Sequence, residues 1–218
     1  FQARYKKFLT AFRNGWTGVL LLKQLHEQDS AFTDVLLGLG TYNYWSSKFS
    51  RMLWWMPGLE DKREEGIRQL RKLLDGDRIA SDPAASNLVP ILIAEEHYAD
   101  AVALCQRMLK AYPNHRYFTY KMGEAFFLKG DLSQAEGIFV DLLDRCDAEK
   151  FNNFIYPLMC RSYLARSYEK RGAYHKAAAE CRRALVYKYN ATDQVEAEEF
   201  LTPVREVLSR VEKHVPVK

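Results

Sequence analysis

The residues able to do chemistry are few and scattered. Histidines stand at 26, 97, 115, 175 and 214, and cysteines at 105, 146, 160 and 181. No two histidines have H-x-x-x-H spacing, and neither H-E-x-x-H nor C-x-x-C occurs, so no ligand set for a zinc-type ion can be read. Glu95-Glu96-His97 comes nearest to a cluster, but adjacent helical residues point in different directions and the run reads as a solvated turn. There is no G-x-S-x-G elbow, and no cysteine has a plausible base beside it in sequence. Cys160 next to Arg161 could carry a lowered thiol pKa; its apolar surroundings favour a packing role instead. Gly38-Leu39-Gly40 lacks the third glycine and the preceding strand of a dinucleotide site. The reading is therefore no catalytic residue, no metal and no cofactor, and an enzyme is the least favoured class.

Charge narrows the partners. A formal net charge of +4 with 28% charged residues is a mildly basic, mixed surface, not the footprint of a nucleic-acid binder. Arg161, Arg166, Lys170, Arg171, Arg182 and Arg183 could contact phosphates or an acidic peptide, but Glu169 and Glu180 are interleaved, which favours a solvated, ion-paired face. Asn190-Ala191-Thr192 is a glycosylation triplet by pattern only. No apolar run, Val19 to Leu22 included, is nearly long enough to span a membrane. The sequence begins at Phe1 without methionine, so natural sequence is expected before it. The compartment stays open: cytoplasmic or, if a removed signal preceded Phe1, bacterial periplasmic.

These residues must be carried by helices, because the hydrophobic pattern repeats at a helix-pair period. Ala101, Cys105 and Met108 recur 34 residues later as Ala135, Phe139 and Leu142. The preceding turns also answer each other, Glu96 to Asp100 against Gly130 to Gln134. The same small–apolar–apolar triplet occurs as Ala177, Cys181, Ala184, as Gly66, Leu70, Leu73 and as Gly18, Leu22, Leu25. Successive triplets start 48, 35, 34 and 42 positions apart. Such a triplet lies along one helical face, the small residue admitting a neighbouring helix. Gly123, Ala165 and Val89 each stand twelve residues before the small residue of the second helix. A helix pair of this length cannot bury its apolar face alone, so the pairs must stack.

On these residues the chain resembles the tetratricopeptide repeat (TPR) family, well over Asn87 to Tyr189 and loosely elsewhere. The stretch Gly38 to Trp45, with Met56-Pro57-Gly58 and Arg63 to Gly66, looks like bacterial TPR proteins of unassigned role. The resemblance implies an all-α fold: a right-handed TPR-like α-solenoid of about ten helices with a C-terminal capping helix. We expect one helical-repeat domain over residues 1–218, with 48% hydrophobic content ample for its core. Residues 1–28 read as a truncated repeat, two helices broken at Asn14-Gly15. Residues 30–76 read as a divergent repeat whose long first helix runs from about Ala31 to Leu53, and residues 82–189 as three TPR-like units. Pro90 should kink its helix, Pro157 should bend the next long one, and 192–214 should be two helices, the second starting at Thr202-Pro203.

The resemblance also places a partner. In TPR arrays the first helices of successive units line a concave groove. Carried over, that face holds Tyr117, Tyr120, Glu124 and Phe127, then Ser162, Arg166 and Glu169, and in the preceding unit Ser86, Pro90 and Ile93. In the divergent helix it holds Thr41, Tyr44 and Trp45. Aromatic stripes in helices are commonly core, so Tyr120 and Phe127 fit either place. The lysines and asparagines with which chaperone-binding members grip a terminal carboxylate are missing; only Arg166 could serve. The expected function is a non-catalytic scaffold holding a partner protein or peptide in the groove. The alternatives are a homo-oligomer, a homodimer for example, and a membrane-surface adaptor using Trp54, Trp55 and Met56 flanked by Arg51 and Arg63.

Overall fold

The computed structural model describes residues 8–50, 60–74, 79–149, 154–188 and 191–215. Among them are ten α-helices, a short 3-10 turn and no strand. The helices are α1 (Phe8–Gln28), α2 (Val35–Ser50), α3 (Arg63–Leu74), α4 (Ser81–Ala94), α5 (Tyr98–Ala111), α6 (Arg116–Lys129), α7 (Leu132–Asp147), α8 (Ile155–Lys170), α9 (Tyr174–Leu185) and α10 (Ala191–Val211). The 3-10 turn is Glu212–His214. The chain divides into two compact units, Phe1–His97 and Tyr98–Lys218. The all-α, helical-repeat architecture is as the sequence implies.

Within the first unit α2 packs on α1, α3 and α4, and α3 packs on α4. The approach of α2 to α3 depends on two facing glycines. A Cβ on Gly66 would stand 2.6 Å from the Gly40 carbonyl oxygen and 2.8 Å from the Tyr44 nitrogen, closer than atoms approach. Leu70 and Leu73, which follow Gly66 in its triplet, are fully buried.

Within the second unit α5, α6, α7, α8 and α9 pack each on the next, α8 also touches α6, and α10 lies across α8 and α9. The Ala101, Ala135 and Ala177 triplets are all in the core. A Cβ on Gly123 would meet the Phe139 ring at 2.7 Å, so the small residue of α6 is what lets α7 seat its phenylalanine. Two cores result. One joins α6, α7 and α8 around Phe139, Leu142 and Tyr163. The other joins α8, α9 and α10 around Leu158, Cys181 and Val204.

The turns that close α4, α6 and α8 share one geometry. His97, Asp131 and Ala173 N–H groups donate to Leu92, Phe126 and Tyr168 carbonyls five residues back, at 2.8, 2.9 and 2.9 Å. The preceding N–H in each, from Glu96, Gly130 and Gly172, reaches back three residues. This is a Schellman stop, and it requires a left-handed residue at its centre. Gly130 and Gly172 supply one at φ 92° and 72°, whereas Glu96 is forced to φ 61°.

Several boundaries differ from the sequence expectation. α1 runs unbroken through Gly15, because that glycine lies against the Tyr42 ring, where a Cβ would sit 3.2 Å away. The Gly18 triplet is not core like the others: Leu25 is exposed and nothing approaches Gly18. α10 is one helix through Pro203 rather than two. Its buried stripe of Ala197, Leu201, Val204, Val207 and Val211 is continuous across the proline, and that burial outweighs a proline cost of about 3 kcal/mol. Pro157 falls in the first turn of α8, where its missing N–H is not needed, so no bend is demanded. α4 continues past Pro90 to Ala94. The end expected for the long helix at Leu53, and Trp54, Trp55, Met56 and Asn190, lie outside the described residues.

Candidate partner-binding face

The face expected on α6 and α8 is largely closed by the helices themselves. Tyr120 is 3% and Phe127 1% exposed. Tyr120 packs edge-on against Tyr156 and Tyr163 of α8, and Phe127 against Tyr163 at 5.0 Å. Glu124 is held twice: the Tyr163 hydroxyl donates to it at 2.9 Å and the Lys121 ammonium sits at 2.7 Å. Burial, and then the nearby Glu124 charge, push the Tyr163 phenol pKa up. The next helix repeats the pattern. Ser162 is 1% exposed beneath the Phe200 carbonyl of α10, and Glu169 accepts two bonds from the Arg210 guanidinium, at 2.6 and 2.9 Å.

The expectation is thus corrected for Tyr120, Phe127 and Ser162, which are core, and for Glu124 and Glu169, which are committed to internal pairs. The physical reason is spacing. α8 covers the inner positions of α6, and α10 covers those of α8. What stays accessible is Tyr117, in part, and Arg166.

In the first unit Tyr44 is fully buried and Ile93 only 9% exposed, so neither offers a surface. The Tyr44 hydroxyl donates to Glu95 at 2.6 Å. Lys48 also donates to Glu95 and to the last carbonyl of α4, and Arg63 bridges Glu95 to Asp61. Burial pushes the Glu95 carboxyl upward, but the bonds from Tyr44 and Lys48 and the charges of Lys48 and Arg63 hold it below the usual value. This cluster ties α2, α3 and the end of α4 together. Thr41 and Ser86 turn their hydroxyls back onto their own helices, at the Leu37 and Asp82 carbonyls. Trp45 is partly exposed and stacks on Phe49.

Sequence reasoning placed Arg166 on this face but not Lys170 or Leu128, which lie beside it. Arg166 lies over the Phe127 and Tyr163 rings, at 4.7 and 5.0 Å from their centres, and Lys170 lies over Phe127 at 4.4 Å. Leu128, one turn beyond Glu124, is 41% exposed. The Arg166–Lys170 spacing of four was the available signal. A second feature went unread entirely. A cleft of about 550 Å³ opens between α5 and α7 over Thr119 and Met122, rimmed by Pro113, Ile138, Asp141 and Arg145.

Neither feature gathers reactive groups. No set of residues able to hold a metal ion occurs among the described residues. Burial pushes the Cys105 and Cys181 thiols up to about 12 and raises Cys160 as well, despite its neighbour Arg161. No described helix is long and apolar enough to cross a membrane.

Residues 92–145 match the tetratricopeptide repeat family model. No curated protein matches the chain. The matched span carries the Ala101 and Ala135 triplets and the Schellman stop between them, the features whose geometry makes the helix pair stack. The similarity to the tetratricopeptide repeat family is thus carried by residues 92–145.

Proposed function

We propose that this protein is a non-catalytic interaction scaffold that binds a partner protein through the face of α6 and α8 formed by Tyr117, Leu128, Arg166 and Lys170. Repeats of this family mediate protein–protein interaction, which supports the class of function. The observation carrying the position is Arg166. It is held in place by two aromatic rings, partly exposed, and without an ion-pair partner among the described residues. The test is a peptide-display selection on the immobilised full chain, repeated on the Leu128→Ser/Arg166→Gln variant. Helical content should be unchanged and the selected ligands lost. Ligands retained equally by both proteins would move the binding site elsewhere.

A second reading has its own observation. Leu20, Leu21 and Leu25 of α1 are 44%, 62% and 39% exposed, and leucines four apart share a face that a second copy could cover. Sedimentation of the wild type and of Leu21→Lys/Leu25→Lys decides it: a dimer that the substitutions dissociate supports self-association, and a wild-type monomer removes it.

A further inference from the structure

We infer that the cleft between α5 and α7 is a second docking site, and that its occupant is an extended, uncharged segment of a partner chain gripped along its main chain. The site is separate from the face at Arg166 and does not depend on it. Met122, on the cleft floor, leaves α6 on the side away from Tyr120 and Phe127.

Four observations carry it. The first is shape. α7 lines the cleft from Ser133 to Arg145, a length of about 18 Å. A volume of about 550 Å³ over that length leaves about 30 Å² of cross-section, a channel about 6 Å wide. A helix, about 10–12 Å across with its side chains, does not enter. About five residues of extended chain do, at about 3.3 Å each. The second is Gly137. It stands exposed in the middle of α7, and nothing lies within 4 Å of the Cβ it lacks. A glycine there weakens the helix relative to alanine, and no neighbour requires it. What it provides is bare α7 backbone along the cleft, which another main chain can approach closely. The third is the polar rim, where Asn114 and Gln134 are exposed. A primary amide both donates and accepts, which matches the N–H and C=O of a peptide unit rather than an ion. The fourth is charge. Asp141 and Arg145, the charged residues of the lining, pair with each other at 3.0 Å, so the cleft carries no net charge. A polyanion or a charged peptide finds no complement there. An uncharged segment meets Leu109, Met122 and Ile138 with the side chains it presents at alternate positions.

The experiment is a random-heptapeptide display selection on the full chain, with affinities of the selected peptides measured on the wild type and on Gly137→Leu. The added side chain fills the cleft. It should also raise the urea midpoint, because a better helix former enters open space. Binding and stability then move in opposite directions, which a damaged fold cannot produce. The expected peptides carry no charge and have apolar residues at alternate positions. Their affinity should fall about tenfold or more in Gly137→Leu. It should also fall when a central peptide amide is N-methylated, hold constant as salt rises, and be unchanged in Leu128→Ser/Arg166→Gln. Peptides lost by Leu128→Ser/Arg166→Gln but kept by Gly137→Leu would overturn this inference and leave the α6–α8 reading standing. Peptides that turn helical on binding, or charged peptides whose affinity collapses with salt, would overturn it as well, as would selection of no peptide. Binding of the neutral dye N-phenyl-1-naphthylamine to the wild type but not to Gly137→Leu, with no peptide selected, would replace the partner chain with a small apolar molecule.

Discussion

Phe127 shows how one residue can be read two ways until its neighbours are known. Its position in the repeat places it on the groove side, yet α8 seals it with Tyr163, Arg166 and Lys170. Phe127→Ala should therefore cost stability, about 3–5 kcal/mol in urea unfolding, and weaken binding only as the fold is lost. Glu96 makes the opposite case. It occupies a left-handed position that Gly130 and Gly172 fill in the equivalent turns, and it is exposed. Glu96→Gly should raise stability by about 0.5–1 kcal/mol by relieving a strained φ, measured as a higher urea midpoint. The sequence matches the Glu96 and Gly130 turns to each other. It could not show that the glutamate pays a conformational penalty there, because only the backbone angle reveals it.

At the scale of the helix, small residues divide into those that pack and those that do not. Gly66 faces backbone atoms of α2 that have no room to move, so Gly66→Ala should separate α2 from α3 and cost about 1–3 kcal/mol. Gly137 sits inside α7 with nothing within 4 Å of its would-be Cβ. Gly137→Ala should stabilise by about 0.5–1 kcal/mol. Thermal unfolding of the two variants side by side gives opposite signs if this is correct. The Glu95 cluster adds a pH dependence. Its folded-state pKa lies below the ordinary 4.5. Its contribution is thus complete above about pH 4.5 and is lost as pH falls through the lower folded value. Wild-type stability should drop more than that of Glu95→Gln over this acidic range, as followed by urea midpoints. The helices themselves were legible from their period. Their ends at Gly15 and Pro203 were not, because a close ring contact and a continuous buried stripe override local breakers.

For the whole molecule, stability in stacked repeats is a sum over neighbours. Hydrogen exchange of Gly66→Ala should accordingly rise in α2, α3 and α4, while the core of α8, α9 and α10 around Leu158 and Val204 keeps its protection. A uniform increase over both regions would mean that the chain unfolds as one cooperative body. The net charge of +4 is small for 218 residues, and its local distribution matters more than its total. The Arg161–Glu180 pair at 2.6 Å is buried between α8 and α9, whereas Arg166 and Lys170, five and nine residues later in sequence, lie over the Phe127 ring.

The sequence by itself determined the helical class, the repeat period, the packing triplets and the turns, because each depends on residues within about one helix pair of each other. It also ranked interaction above catalysis, since reactive groups in usable spacing were missing. Only the tertiary structure decided which side of each helix is open. A groove position and a core position can share one residue type and one register; they differ only in whether the next helix covers them. Here α8 covers Tyr120 and Phe127 and α10 covers Ser162, so the accessible surface passes to Leu128, Arg166 and Lys170.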